Sequence, residues 1–529
     1  MHQFSGFLFH CWNTDVNLYG ITMKFIQGKD RRKAMSSFDE KLRRMWYKTG
    51  EKMHLYFLYC ILTCLLLFLC CHVVIPDQQQ LSGQAFPDNV NVGVIPSQHV
   101  SLATKFQGMP QVDGGDRCLG RKIYMYTLPS RYNTNLLRNC EFGVVQWLNF
   151  CPHAANGGLG QSHDNVPAEM SIGEGWYSTD AYMLEVIFHS RMRQYSCLTT
   201  DTSMADAFFV PYYTGLDALY YLYPEGNLTN RLYSGNRSKQ HGQDLIAWLE
   251  ENARDLWKRH GGKDHFMVMG RTSWDFIKNG DGRGWGTGIS YLPHISNMST
   301  LLIEKRPWVE NEQAVPYPTA FHPTSQQLQN WISKIKTSKR TYLLAYAGGI
   351  RPTMQDTSFR NRLLKQCLNS SSCITVDCGK LKCSHNPKPI TNAFLQSNFC
   401  LQPRGDTPTR RSAFDAMIAG CIPVFFHEDS AYTQYTWHLP EDPHNYSVYI
   451  SEDDVKPEGM RVEDLLRLYS KNKIVQLRDS IAQLIPRLLY SNRQFVTESG
   501  ENPNPDAFDI SILGILKKIG KLKLKISDE

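Results

Sequence analysis

Charge of one sign is scarce in this 529-residue chain once a single short segment is set aside. Between Lys24 and Lys52, ten Lys or Arg face four acidic residues, which accounts for six of the seven formal net positive charges. The remainder is close to neutral, so no basic face is left for a phosphate backbone, and nucleic-acid binding is excluded. A long internal repeat is also missing, which excludes an array of like units. Charged residues vanish altogether from His54 to Ile75 (HLYFLYCILTCLLLFLCCHVVI), a run of about the length a helix needs to cross a bilayer. A cleaved signal peptide has a shorter apolar core nearer the start, so a membrane anchor is expected. With the basic excess on its N-terminal side, residues 1–53 are predicted to be cytosolic and everything beyond 76 to lie across the membrane, a single-pass type II topology.

Glycosylation sequons are absent before the anchor, whereas five follow it, at Asn227, Asn236, Asn297, Asn369 and Asn445. Ten of the fifteen cysteines also follow it: 118, 140, 151, 197, 367, 373, 378, 383, 400 and 421. An even number in an oxidising compartment suggests disulfides, whose pairing cannot be read from spacing. Cys373, Cys378 and Cys383 recur every five residues, but the spacing is not that of a zinc knuckle and no fourth ligand is evident.

Residues 76–117, rich in Gln, Gly, Pro, Asp, Asn and Ser, read as a flexible stem. Beyond Cys118, strands and amphipathic helices alternate. Strands are expected at 123–128, 207–211 and 265–269, with helices over 180–195 and 245–257. A second set begins with a strand at 341–347, ending in Gly348-Gly349 with Arg351 just beyond, and a helix over 357–368. Residues 456–490 are helix-rich. The lysine-rich end, 517–525, reads as a solvated tail. This alternation signals doubly wound α/β layers, divided into an N-terminal domain over 118–338 and a C-terminal domain over 339–529.

The most informative stretch runs from Asn398 to Phe426 (NFCLQPRGDTPTRRSAFDAMIAGCIPVFF). It reads as strand, glycine loop, helix and strand. Thr407 is placed to cap the helix, Pro408 to open it and Gly420 to close it. Such a unit aims amide N–H groups at a sheet edge, where phosphates bind. Arg404, Arg410 and Arg411 are expected to converge there on a diphosphate, with Gly405, Thr407 and Thr409 shaping the loop. Asp406 and Asp415 are suited to accept from sugar hydroxyls.

This stretch resembles the signature of the exostosin-type glycosyltransferases, family 47, in the plant xyloglucan galactosyltransferase branch. Matching landmarks follow in one order: Gly175-Trp-Tyr-Ser-Thr179, Phe209-Val-Pro-Tyr-Tyr213 with Gly215-Leu-Asp217, Trp274-Asp-Phe276, Ala314-Val-Pro-Tyr-Pro318, and the run Ser430 to Pro440. The resemblance implies a GT-B fold: two Rossmann-like domains facing a cleft, carried by one transmembrane helix and a stem. It implies a Golgi enzyme with a lumenal head, a UDP-sugar donor, a xyloglucan acceptor and other Golgi glycosyltransferases as neighbours. It also implies inversion at the anomeric carbon, which needs a general base on the N-terminal side. Asp217 and Asp275, both near strand ends, are the candidates, while His189 and His265 read as structural. Gly348, Gly349 and Arg351 are expected beside the diphosphate.

No Asp-x-Asp motif occurs near the donor-binding element, so cationic side chains are expected to stabilise the departing diphosphate without a metal or other cofactor. Trp176, Tyr177, Tyr212, Tyr213, Trp274, Tyr317 and Trp437 offer faces for sugar rings, though each taken alone reads more readily as core. Departures from the pattern, Arg404 in place of Pro or Gln, Asp180 in place of Asn and Glu428-Asp429 in place of Pro-Gly, bear on the sugar. Galactose is the default, with galacturonic acid and arabinose as alternatives. A non-catalytic glycan-binding scaffold and a hydrolase, which would need paired carboxylates, are the rival classes.

Overall fold

The computed structural model describes residues 118–527 apart from 119–120, 139, 141–148, 164–171, 223–238, 279–284, 350–357, 456–460 and 493–504. The expected tail, anchor and stem lie outside the described residues, as do Arg351, Asn227 and Asn236. Among the described residues, no helix is long and apolar enough to cross a membrane.

Two all-parallel sheets form the frame. The first contains β1 (Ile123–Met125), β2 (Leu198–Thr199), β3 (Ala207–Phe209), β4 (His265–Thr272), β5 (Ser299–Glu304) and β6 (Glu312–Ala314), in the order β2-β1-β3-β4-β5-β6. The second contains β7 (Tyr342–Gly348), β8 (Cys373–Asp377), β9 (Ser397–Gln402), β10 (Ile422–Phe425) and β11 (Val448–Tyr449), in the order β11-β10-β9-β7-β8. Parallel sheets bury both faces, and the central strands are accordingly continuous apolar runs: Phe266–Met269, Leu301–Ile303 and Phe399–Leu401 are all buried. Strand order reverses between β1 and β3 and again between β7 and β9, and ligands enter open α/β sheets beyond the carboxyl ends at such points.

The covering helices include α1 (Leu184–Met192), α2 (Thr214–Leu222), α3 (Gln240–Asn252), α4 (Ser325–Thr337), α5 (Phe359–Leu368), α6 (Arg411–Ile418), α7 (Lys471–Leu488) and α8 (Ala507–Ser527). α4 links the two sheets. Thr324 and Gln327 close a capping box at its start, and Leu328, Trp331 and Ile335 form its buried stripe. Both sheets belong to one compact unit, Val90–Glu529, and one core cluster runs through both, taking in Phe209 and Leu301 as well as Phe399 and Phe425.

Three expectations need correction. The strand expected over 123–128 is only Ile123–Met125. The signature helix starts at Arg411 rather than at Pro408 behind a Thr407 cap, because Arg410 is extended, at φ −150° and ψ 139°, and takes the cap position itself; Gly420, at φ +64°, does close it. The lysine-rich end is no solvated tail. It is the last half of α8, whose Ile512, Ile515 and Ile519 are buried. There the Lys518 Nζ donates to the Glu310 carbonyl and the Lys523 Nζ to that of Asp206, which ties the chain's end to the first sheet's side. Ile512, Ile515 and Ile519, spaced three and four apart, share one helical face, and the long lysine stems bring their ammonium groups to nearby carbonyls.

All ten cysteines beyond the anchor are paired: Cys118–Cys197, Cys140–Cys151, Cys367–Cys373, Cys378–Cys383 and Cys400–Cys421. Asn297, Asn369 and Asn445 are exposed, as acceptors of a bulky glycan must be.

Candidate active site

β7 and β9 are neighbours, and their carboxyl ends at Gly348 and Gln402 flank the second sheet's switch point. The loop 403–410 rises from β9 and leads into α6. Arg410, extended at φ −150°, folds its side chain back over the strand ends. Its Nη1 donates to the Pro403 carbonyl at 3.1 Å and its Nη2 to that of Ala347 at 3.3 Å. Arg360, in the first turn of α5, approaches from the other side and reaches the Gly349 carbonyl at 3.5 Å. A Cβ on Gly348 would lie 3.3 Å from Arg410 Nη2 and 3.4 Å from Arg360 Nη2, so glycine here lets both guanidinium groups reach the strand end.

Neither arginine has a carboxylate partner among the described residues, and Arg360 Nε is buried without an acceptor. Burial and the neighbouring Arg360 pull the Arg410 guanidinium down to about 10, which still leaves it charged at neutral pH. Two like charges held together against carbonyl oxygens make a site for an anion with several acceptor oxygens.

The other two arginines of the signature do not join them, which corrects the expected convergence. Arg404 is exposed and forms an ion pair with Glu452 at 2.9 Å. Arg411 spans the sheets, with Nη1 donating to the carbonyls of Thr179 and Ser384, each at 2.9 Å, and Nε lies 3.6 Å from Asp415. Consecutive residues where a loop turns into a helix point in different directions, so three arginines close in sequence need not share a target. Burial raises the Asp415 pKa, with Arg411 opposing. Asp406 is exposed on the loop, and the Gly405 N–H bonds to the Thr407 carbonyl. A Cβ on Gly349 would meet nothing within 4 Å.

Across the gap, the first sheet presents Glu304 at the carboxyl end of β5. Its Oε2 accepts from the Thr409 backbone N–H at 2.8 Å and from the Thr409 hydroxyl at 2.5 Å, and its Oε1 accepts from Trp274 Nε1 at 2.9 Å. Thr407 adds a further side-chain bond. Burial pushes the Glu304 pKa upward against these donors. The end of one sheet is thereby pinned to the signature loop of the other.

The two predicted bases sit elsewhere on the first sheet's side and are already engaged. Asp217 accepts from the Tyr212 hydroxyl and His241 Nδ1, each at 2.5 Å, and Asp275 from Arg271 Nε at 2.5 Å and Trp285 Nε1 at 2.6 Å. Both are buried. His189 bonds the Tyr213 hydroxyl, and burial lowers its pKa to about 3. His265 is enclosed between the Tyr126 hydroxyl and Asp264. Both histidines act as core residues. Among the expected aromatics, Trp176, Tyr177, Tyr212, Tyr213 and Tyr317 are buried and Trp437 is half-buried. Trp274 is 38% exposed, and Trp285 beside it 51%. Among the described residues, no three His, Cys, Asp or Glu side chains are grouped to hold a metal ion.

A family profile described as the exostosin GT47 domain matches residues 117–465, well over half of the chain. The chain belongs to the exostosin GT47 family. The xyloglucan galactosyltransferase MUR3 of Arabidopsis thaliana is 41% identical over 412 residues, covering 77% of this chain and 64% of its own length. The probable xyloglucan galactosyltransferase GT19 of the same plant is 40% identical over 414 residues, covering 76% of this chain and 91% of its own. The chain thus spans a little under two thirds of MUR3 and most of GT19. The solved GtfA/B complex aligns over 64% of this chain and 61% of its own at 9% identity with a TM-score of 0.30, too loose a match to bear on the fold.

Within this family member, sequence reasoning missed Arg360, Glu304 and Trp285. Arg360 had a readable signal, a cation in the first turn of a helix that follows a glycine-ended strand. Glu304 ends a run, Met298 to Ile303, that reads in retrospect as a buried strand with an acid at its carboxyl end.

Proposed function

We propose that the chain is a Golgi type II membrane glycosyltransferase that moves galactose from UDP-galactose onto xylosyl side chains of xyloglucan, with inversion. The names of its relatives support the substrate pair. The arginine pair at the switch point of the second sheet supports a nucleotide diphosphate leaving group, and it is the observation that carries the reading. In this scheme the two sheets are the halves of a GT-B enzyme divided near residue 338, with donor on 339–529 and acceptor on 118–338. Residues 54–75 anchor the chain, and the disulfides and exposed sequons suit a lumenal head. Arg360 and Arg410 take up the charge that develops on the departing diphosphate, so turnover needs no divalent ion. Trp274 and Trp285 offer exposed faces to the acceptor's sugar rings.

The test is incubation of the full-length chain with a panel of UDP-sugars and xyloglucan oligosaccharides, products being read by mass. A product one hexose heavier, formed with UDP-galactose and retained in EDTA, is the expected result. A pentose or uronate product would reassign the donor. Nucleotide binding without transfer would leave a scaffold, and turnover abolished by EDTA but restored by manganese would overturn the metal-free chemistry.

A further inference from the structure

The sheet edge that carries the arginine pair also carries a histidine that the scheme above does not use. β8 lies beside β7 with Asp377 in register with Gly348, and the chain leaving β8 passes through the Cys378–Cys383 disulfide to His385. His385 Nε2 lies 2.8 Å from Oδ2 of Asp180, which belongs to the first sheet's side just ahead of α1. The other Asp180 oxygen accepts the Tyr182 N–H at 2.8 Å. Arg411 bonds the carbonyls of Thr179 and Ser384, the residues immediately before each member of the pair, and so clamps the two together across the gap. The His153 ring stacks on His385 at 3.8 Å between centroids and is itself held by the Ser178 carbonyl.

With Nε2–H donated to Asp180, the Nδ1 lone pair of His385 is left without a partner among the described residues. The imidazole is about one-third exposed (34%), against 8% for the carboxylate. Hydrogen bonds from His385 and Tyr182 outweigh the burial that would raise the Asp180 pKa, so it stays an anion. Burial and the adjacent His385 push the His153 pKa down, which keeps the stacked ring neutral. The charged groups facing His385 are therefore Asp180 and Arg411, with Asp415 behind Arg411. Asp217 and Asp275, by contrast, are buried and have both oxygens engaged.

We propose that His385, which lies in the C-terminal half rather than on the expected N-terminal side and is oriented across the gap by Asp180 of the N-terminal half, is the general base that takes the proton of the attacking acceptor hydroxyl. The assignment rests on the transferase reading. As the acceptor oxygen bonds to the anomeric carbon, the bond from that carbon to the phosphate oxygen breaks and UDP leaves with the electron pair. The hydroxyl proton passes to His385 Nδ1, and Asp180 balances the imidazolium that forms.

The experiment measures UDP release with acceptor present, alongside UDP-induced thermal stabilisation, for the full-length wild-type, His385→Gln and Asp180→Asn chains. His385→Gln should lower kcat by about 100-fold or more, the range general-base catalysis spans, while UDP still stabilises the chain as in wild type. Asp180→Asn should cost less and move the acidic limb of the kcat/KM profile to lower pH, because the carboxylate no longer favours the imidazolium. If His385→Gln does not fold, that limb decides. An active His385→Gln chain, an unmoved limb, or loss of activity in step with UDP stabilisation would each overturn the assignment. A wild type that binds UDP yet turns over no UDP-sugar would sink the transferase reading itself, and the base with it.

Discussion

The carboxyl edges of the two sheets treat charge in opposite ways. On the second, Arg360 and Arg410 approach the same strand end with carbonyl oxygens as backbone partners and, among the described residues, no ion pair to an acid. On the first, Glu304, Asp217 and Asp275 each accept two or more short hydrogen bonds from neighbouring side chains or backbone. A charge fully matched by its own protein is scaffolding. A pair of like charges left facing each other is held for something that arrives later, since their repulsion is relieved only when an anion binds. The second edge is therefore read as the place that grips the ligand, and the first as the place that holds the gripping loop in position.

The sharpest way to break this contrast is to remove the unmatched cations. Arg410→Ala should weaken UDP binding by about 100-fold, near 3 kcal/mol, as expected for two lost charge-assisted hydrogen bonds. Arg360→Met should weaken it by about tenfold, the scale of one such bond. Yet the unliganded Arg360→Met chain should melt no lower than wild type, because a like-charge contact disappears. Titration calorimetry with UDP and a thermal melt without it check both signs. Unchanged UDP affinity in Arg410→Ala would show that the pair is internal scaffolding after all.

Glu304→Gln probes the opposite edge and should have a smaller effect on ligand binding. The amide keeps one acceptor but turns N–H toward donors, so one of the Thr409, Thr407 and Trp274 bonds is lost, at about 1–3 kcal/mol of stability. Because the acid positions the loop without touching donor phosphates in this scheme, the loss should fall on kcat, by about tenfold, with UDP affinity held. A fall in UDP affinity as large as that of Arg410→Ala would move Glu304 into the binding site.

How legible each edge was in the sequence follows from how far apart the partners lie. Strands β7, β9 and β10 of the second sheet and the closure of α6 by Gly420 were readable because they depend on local periodicity and one left-handed residue, whereas β8 and β11 were not read. What Arg411 does was not, since its acceptors at Thr179 and Ser384 are 232 and 27 positions away. The Glu304–Thr409 pin spans 105 positions and begins from a strand whose hydroxyl start and acidic end hid it. α8 misled for a related reason: a lysine count describes solvation, whereas buried isoleucines four and seven places apart describe packing. Family membership came from motif order, and the identity of individual site residues did not come with it.

A buried acid on the first side that accepts only backbone donors gives the smallest and most specific test of the comparison. Glu185, on α1, accepts from the backbone N–H groups of Gly270 at 2.9 Å, Gly215 at 2.5 Å and Leu216 at 3.3 Å, joining β4 to the start of α2. Burial outweighs those donors and lifts its pKa from 4.5 to about 8. The folded chain then keeps a proton that the unfolded chain releases. Its contribution to stability is complete below about pH 4.5 and fades as the pH rises towards 8. A glutamine cannot ionise, so the melting temperature of Glu185→Gln relative to wild type should climb between those limits, and groups shared by both chains cancel in the difference. Paired melts across that range read the slope directly. Parallel curves would mean that Glu185 is ionised throughout and matched by its backbone donors, which would make even this buried acid scaffolding of the same kind as Glu304.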